Sequence, residues 1–206
     1  MIFPIGLFLS VFLAICISMH WFDSFLNSIK VEKNTFLLFC LLYIVLMLFD
    51  LTIPYIEYGI VLNLAFLLTL LIALKCFDRK LDFRVVISCS VVCGMHIFIN
   101  FAPYISNYFI IMISSYILPF FAVITLFFFG NDFKKGIGAI AFGYIFSEMI
   151  MLFFRAHDNL IIGNITGQNI FLMMAAFYCF LFPAKCRILR QRQNDICWLN
   201  CIYMGK

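Results

Sequence analysis

The chain has 206 residues, 66% of them hydrophobic and 12% charged, with a mean hydropathy of +1.10. Soluble domains draw only about half of their residues from the apolar set, so that class is excluded. The net charge of +4 sits in short basic clusters between apolar runs, without a basic arm or aromatic–basic alternation, which argues against a nucleic-acid partner.

A spanning helix needs about 20 mostly apolar residues to cross about 30 Å of hydrocarbon. By that measure the chain predicts an all-α, polytopic transmembrane helix bundle of seven spans, near 2–22, 35–53, 60–77, 85–102, 108–129, 137–154 and 160–183. These form one domain, 1–183, followed by a basic juxtamembrane tail, 184–206. The first span has no basic segment before it, so it is expected to remain a membrane helix rather than a cleaved signal peptide. Pro54 and Pro103 fall at predicted helix ends, and Pro119 kinks the fifth span. In the seventh, "GNITGQN" leaves two readings open, one full span or a short apolar loop followed by a shorter helix.

Basic residues set the orientation. Thirteen of the 14 Lys and Arg fall on alternate connectors or the tail: Lys30 and Lys33; Lys75, Arg79, Lys80 and Arg84; Lys134 and Lys135; Lys185, Arg187, Arg190, Arg192 and Lys206. Only Arg155 falls on the other side. The excess of positive charge on cytoplasmic connectors then predicts an outer N-terminus and a cytoplasmic C-terminus. Trp21 and Trp198 fall near the cytoplasmic boundary, where interfacial aromatics gather. None of the nine cysteines falls in an outer connector, so reduced thiols are expected. Cys197 and Cys201 have a CxxxC spacing without a paired CxxC, and no metal site is assigned. The tail's basic cluster is suited to anionic lipid. The simpler reading, a plain topology anchor with a frayed end, is preferred.

Ionisable groups at membrane depth are costly and default to function. Asp50, Asn63, His96, Asn100, Glu148 and Arg155 are the candidate polar or ligand site, all biased to the outer half of the bundle. At 100° per residue, Tyr144, Glu148 and Arg155 share one face within about 40°. Glu148 has two readings: a proton- or cation-linked carboxylate, or a neutral packing residue bonded to His96, Asn100 or Asn63. Cys89, Cys93, His96 and Asn100 form an inward stripe suited to helix packing. Ala139, Gly143 and Ser147 form a small-residue ridge on a different face of the sixth span from Glu148.

The sequence contains no HExxH, GxSxG, P-loop or GxGxxG pattern. No catalytic residue, cofactor or enzymatic activity is therefore assigned. The run "FFFGNDFKKGIGAIAFGYIFSE", residues 127–148, and the layout of spans resemble the YphA-type membrane proteins of Bacillus relatives. That resemblance implies a small multispanning protein with a link to sporulation, and it supplies no catalytic residues. The Phe-, Ile- and Asn-rich composition fits a low-GC bacterium. The expectation is a non-enzymatic protein of the bacterial plasma membrane with a structural or interaction role, whose partners are the bilayer, other membrane proteins or a second copy. The alternative is a small permease or membrane sensor using Glu148, His96 and Asn100.

Overall fold

In the computed structural model, the apolar runs between connectors wind mainly into helices. The structure describes residues 5–28, 30–55, 58–76, 83–105, 117, 119–120, 123–124, 132–154, 160–163 and 167–183. In chain order these give α1 (Ile5–Ser18), α2 (Asp23–Ser28), α3 (Lys33–Leu46), β1 (Asp50–Tyr55), β2 (Tyr58–Asn63), α4 (Leu64–Cys76), α5 (Phe83–Ile105), α6 (Phe133–Phe154) and β3 (Leu160–Ile162). A further helix, α7, spans Gly167–Pro183. The predominance of helix agrees with the all-α expectation. The predicted span 108–129 lies almost wholly outside the described residues, as do Glu57, Arg155, His157, Asp158 and the tail 184–206.

The predicted span boundaries require three corrections. The span at 35–53 stops being helical at Leu46, and Asp50 opens β1. The span at 60–77 begins as strand and turns helical at Leu64. The span at 160–183 is divided, with β3 and Gly163 preceding α7. Pro103, expected at a helix end, lies inside the last turn of α5. As a result, α5 over Phe83–Phe101 and α6 are the two described helices long and apolar enough to cross a membrane. Helices α1, α3, α4 and α7 are apolar but shorter, at 10–17 residues.

The strands follow from residue type. "DLTIPY" and "YGIVLN" carry Thr52, Ile53, Ile60 and Val61, β-branched residues that favour extended backbone. They pair antiparallel with Asp50 opposite Asn63 and Tyr55 opposite Tyr58. The three-residue β3 adds to β2 in parallel, Ile60 opposite Leu160 and Leu62 opposite Ile162. The order β1-β2-β3 puts Pro54 on an edge strand, where its missing N–H interrupts no inner ladder.

Helix α6 is central, packed on α5 and α4. The predicted ridge is what permits the approach to α5. A Cβ at Gly143 would lie 2.6 Å from Val92 Cβ and 2.8 Å from the Cys89 carbonyl oxygen, so only glycine fits. Ala139 and Ser147 on the same ridge are buried. Between α6 and α4, a Cβ at Gly138 would meet Cys76 Cβ at 2.9 Å.

The two ends of the bundle differ. Toward the sheet, Phe101 of α5 meets Phe154 of α6 at 5.5 Å. At the opposite end, Phe133 stacks on Tyr178 at 5.7 Å and meets Phe182 at 5.3 Å, and Lys33 of α3 donates to the Ser18 carbonyl that ends α1. The described basic residues Lys30, Lys33, Lys75, Arg84, Lys134 and Lys135 all fall at helix termini of this sheet-free end, together with Asp23, Glu32 and Asp132. Asp50 and Glu148 lie toward the sheet.

Polarity is inverted relative to a water-soluble protein. Ser10, Asn63, Thr69, Ser88, His96, Ser147, Glu148, Gln168 and Asn169 are buried, whereas Phe83 is 76% and Phe153 83% exposed. Leu38, Leu41, Leu71, Leu74 and Phe146 also face outward.

Candidate functional site

Glu148 projects from α6 about two turns before its end and is only 2% exposed. Its Oε2 accepts the backbone N–H of Gly163 at 3.1 Å. Gly163 follows β3 directly and has φ +69°, a left-handed conformation that glycine alone adopts without cost. A Cβ there would also strike Phe66 Cβ at 2.8 Å and Gln168 Nε2 at 2.9 Å. The Glu148 side chain therefore fastens Gly163, the residue after β3, onto α6 where a side chain could not fit.

The opening of α7 closes over the same group. A Cβ at Gly167 would lie 3.0 Å from Glu148 Oε1 and 3.2 Å from the Tyr144 hydroxyl. Tyr144, one turn before Glu148, packs its ring edge-on to His96 at 4.8 Å. It also meets Phe66 at 6.0 Å and Phe171 at 5.6 Å.

His96 comes from α5 and is 1% exposed. Asn100 Nδ2 donates to the His96 carbonyl at 2.9 Å and to His96 Nδ1 at 3.1 Å. The carbonyl, which can only accept, fixes which end of the Asn100 amide is nitrogen. Nδ1 is consequently an acceptor, and the ring proton belongs on Nε2, which points at the Gly167 carbonyl oxygen from 3.5 Å.

A second set of polar groups lies beyond α7's first turn. The Tyr43 hydroxyl of α3 sits 2.9 Å from Thr69 Oγ1 of α4 and donates to Gln168 Oε1. Gln168 is completely buried, and among the described residues its Nε2 has no hydrogen-bond partner. Tyr43 also stacks on Phe171 at 5.6 Å.

The predicted site therefore divides. Glu148, His96 and Asn100 converge around Tyr144 and Gly167. Asn63 and Asp50 form a separate hydrogen-bond set. Asn63 ends β2 instead of lying one turn into a span, and its Oδ1 accepts the Ala65 N–H at 3.0 Å, capping α4. Its Nδ2 donates to the Met47 carbonyl and to Asp50 Oδ1, both at 2.9 Å. With acceptor and donors engaged, Asn63 joins the end of α3, β1 and the start of α4. Asp50 itself is exposed at the head of β1. Arg155 lies outside the described residues. Sequence reading missed Tyr43, Thr69, Gln168, Gly163 and Gly167, of which "GNITGQN" was the only legible signal.

Comparison with protein-family models, with curated proteins and with solved structures yields no match. The chemistry must be read from the site alone. Among the described residues no three His, Cys, Asp or Glu side chains are grouped to hold a metal ion. What the geometry contains is a buried glutamate side chain tied to backbone, a buried imidazole and a buried amide.

Proposed function

We propose that the chain is a multispanning integral protein of a bacterial plasma membrane that acts without catalysis, through contacts with membrane partners or with a second copy. In this reading it has seven spans, an outer N-terminus and a cytoplasmic C-terminus. The observation that carries it is the inverted polarity: Glu148 and His96 are 2% and 1% exposed while Phe83 and Phe153 are 76% and 83% exposed. In water such an outward apolar surface is a liability. In hydrocarbon it is the solvent-compatible face, and buried polar groups supply interhelical contacts.

The sidedness of charge supports the orientation. Lys33, Lys75, Arg84, Lys134 and Lys135 at one end mark the cytoplasmic face. The three-stranded sheet would then sit at the outer surface, because open strand edges are not tolerated within the hydrocarbon region. The resemblance to YphA-type proteins adds an envelope or sporulation setting. Alkaline carbonate washing of membranes, followed by in-cell crosslinking and identification of partners, tests the proposal. Retention in the pellet with reproducible membrane-protein adducts is expected; release into the wash would sink it.

A second reading, a small permease or sensor, is favoured by one observation, the buried Gln168 amide nitrogen that has no partner among the described residues. It lies beside Gly163, whose N–H Glu148 holds. This reading requires that Glu148→Gln abolish a pH-dependent uptake or ligand response with insertion unchanged.

A further inference from the structure

Between α1, α3, α4, α6 and α7 the structure contains a partly open cavity of about 140 Å³. Its floor is Leu13, Tyr43, Phe171 and Ala176, all buried, and its rim includes the half-buried Phe36, Ile72 and Ile137. The few polar groups in the wall are occupied elsewhere. The Ser10 hydroxyl donates to the Gly6 carbonyl of its own helix, and the Tyr43 hydroxyl is turned to Thr69 and Gln168. A buried water needs two to four polar partners, and an apolar cavity of about 150 Å³ stays dry and admits benzene. A molecule suited to this cavity is therefore hydrocarbon, about six carbons of it.

Charge at the rim specifies what the hydrocarbon is attached to. Ile72 lies one turn from Lys75, the basic residue in the last turn of α4. Ile137 lies one turn from Lys134 at the start of α6. A Cβ at Gly138, one turn after Lys134, would meet Cys76 Cβ at 2.9 Å, so the end of α4 that carries Lys75 packs against the start of α6 that carries Lys134, with Asp132 beside it. Asp132 is partly engaged, since its Oδ1 accepts the Lys134 backbone N–H at 3.1 Å. An apolar slot thus runs up to a paired lysine end.

We propose that this cavity holds one hydrocarbon chain of an anionic membrane lipid, whose head group is held by Lys75 and Lys134. The inference rests on the membrane reading above. It assigns a bound lipid to the basic end of the bundle, away from the Glu148 group.

The test uses the full chain in nanodiscs containing phosphatidylglycerol with a photoactivatable acyl chain, and the same label on phosphatidylcholine. Labelling by the anionic lipid is expected at Phe36, Phe39 and Leu172, and is lost in Ala176→Phe, which fills the floor. Lys75→Gln and Lys134→Gln are each expected to weaken it about five-fold. Label confined to the outward Leu38, Leu41 and Phe153, or equal labelling by the choline lipid, would overturn the proposal. The wild-type map decides this even if Ala176→Phe does not fold. Release of the chain by carbonate would instead fail the membrane reading, a separate result.

Discussion

Glu148 Oε2 accepts the backbone N–H of Gly163 at 3.1 Å, joining α6 to the residue that follows β3. The bond links a side chain that hydropathy marks as out of place to a backbone group that a strand end leaves unpaired. Because Gly163 also has φ +69°, the pair holds a left-handed turn directly after β3.

Replacing the carboxylate separates its two readings. Glu148→Gln keeps an oxygen for the Gly163 N–H, so stability should change little. Glu148→Ala leaves that donor buried and unsatisfied, a loss of about 1–3 kcal/mol. Thermal unfolding in detergent measures both. A Glu148→Gln variant as unstable as Glu148→Ala would show that charge, not acceptance, is what holds the loop.

Glycine positions give a signed contrast. Gly163→Ala faces a left-handed penalty of about 1–2 kcal/mol, with Phe66 Cβ at 2.8 Å adding to it. At Gly94, inside α5, an added methyl group would meet nothing within 4 Å, so Gly94→Ala should stabilise the helix by about 0.5–1 kcal/mol. Unfolding midpoints should move in opposite directions.

Tyr43 and Gln168 should be energetically coupled. A double-mutant cycle with Tyr43→Phe and Gln168→Leu should yield a coupling of about 0.6 kcal/mol, up to about 1.7. Independence of the two changes would contradict the hydrogen bond across α3 and α7.

Asn63 should rank by what each substitution retains. Asn63→Asp keeps the cap on Ala65 but loses the donors to Met47 and Asp50 and sets two carboxylates together. Asn63→Ala loses all three bonds. Asp50→Asn should partly rescue Asn63→Asp, because it removes the like charge and restores a donor. Rescue is read as recovery of the unfolding midpoint.

The helical class was legible in the long apolar runs, and His96 and Glu148, polar residues within such runs, are buried. Ala139, Gly143 and Ser147 were legible as a ridge through their spacing. The sheet was not. "DLTIPY" and "YGIVLN" continue the apolar runs of α3 and α4, and hydropathy alone does not separate strand from helix. The β-branched Thr52, Ile53, Ile60 and Val61 were the signal, with Pro54 as punctuation. The partner of Glu148 was hidden for a different reason. It is a backbone N–H delivered by the β2–β3 register, and no side-chain pattern records it. Tyr43 and Thr69 are single polar residues within apolar runs, and only folding sets them 2.9 Å apart.

The proposed orientation is tested most directly by paired periplasmic and cytoplasmic reporters fused within 54–59, 78–84, 103–107, 130–136 and 155–167 and after residue 206. The account predicts periplasmic activity at 54–59, 103–107 and 155–167, and cytoplasmic activity at 78–84, 130–136 and the C-terminus. Periplasmic activity at 130–136, beside Lys134 and Lys135, or reporters at 54–59 and 78–84 on the same side, would contradict it.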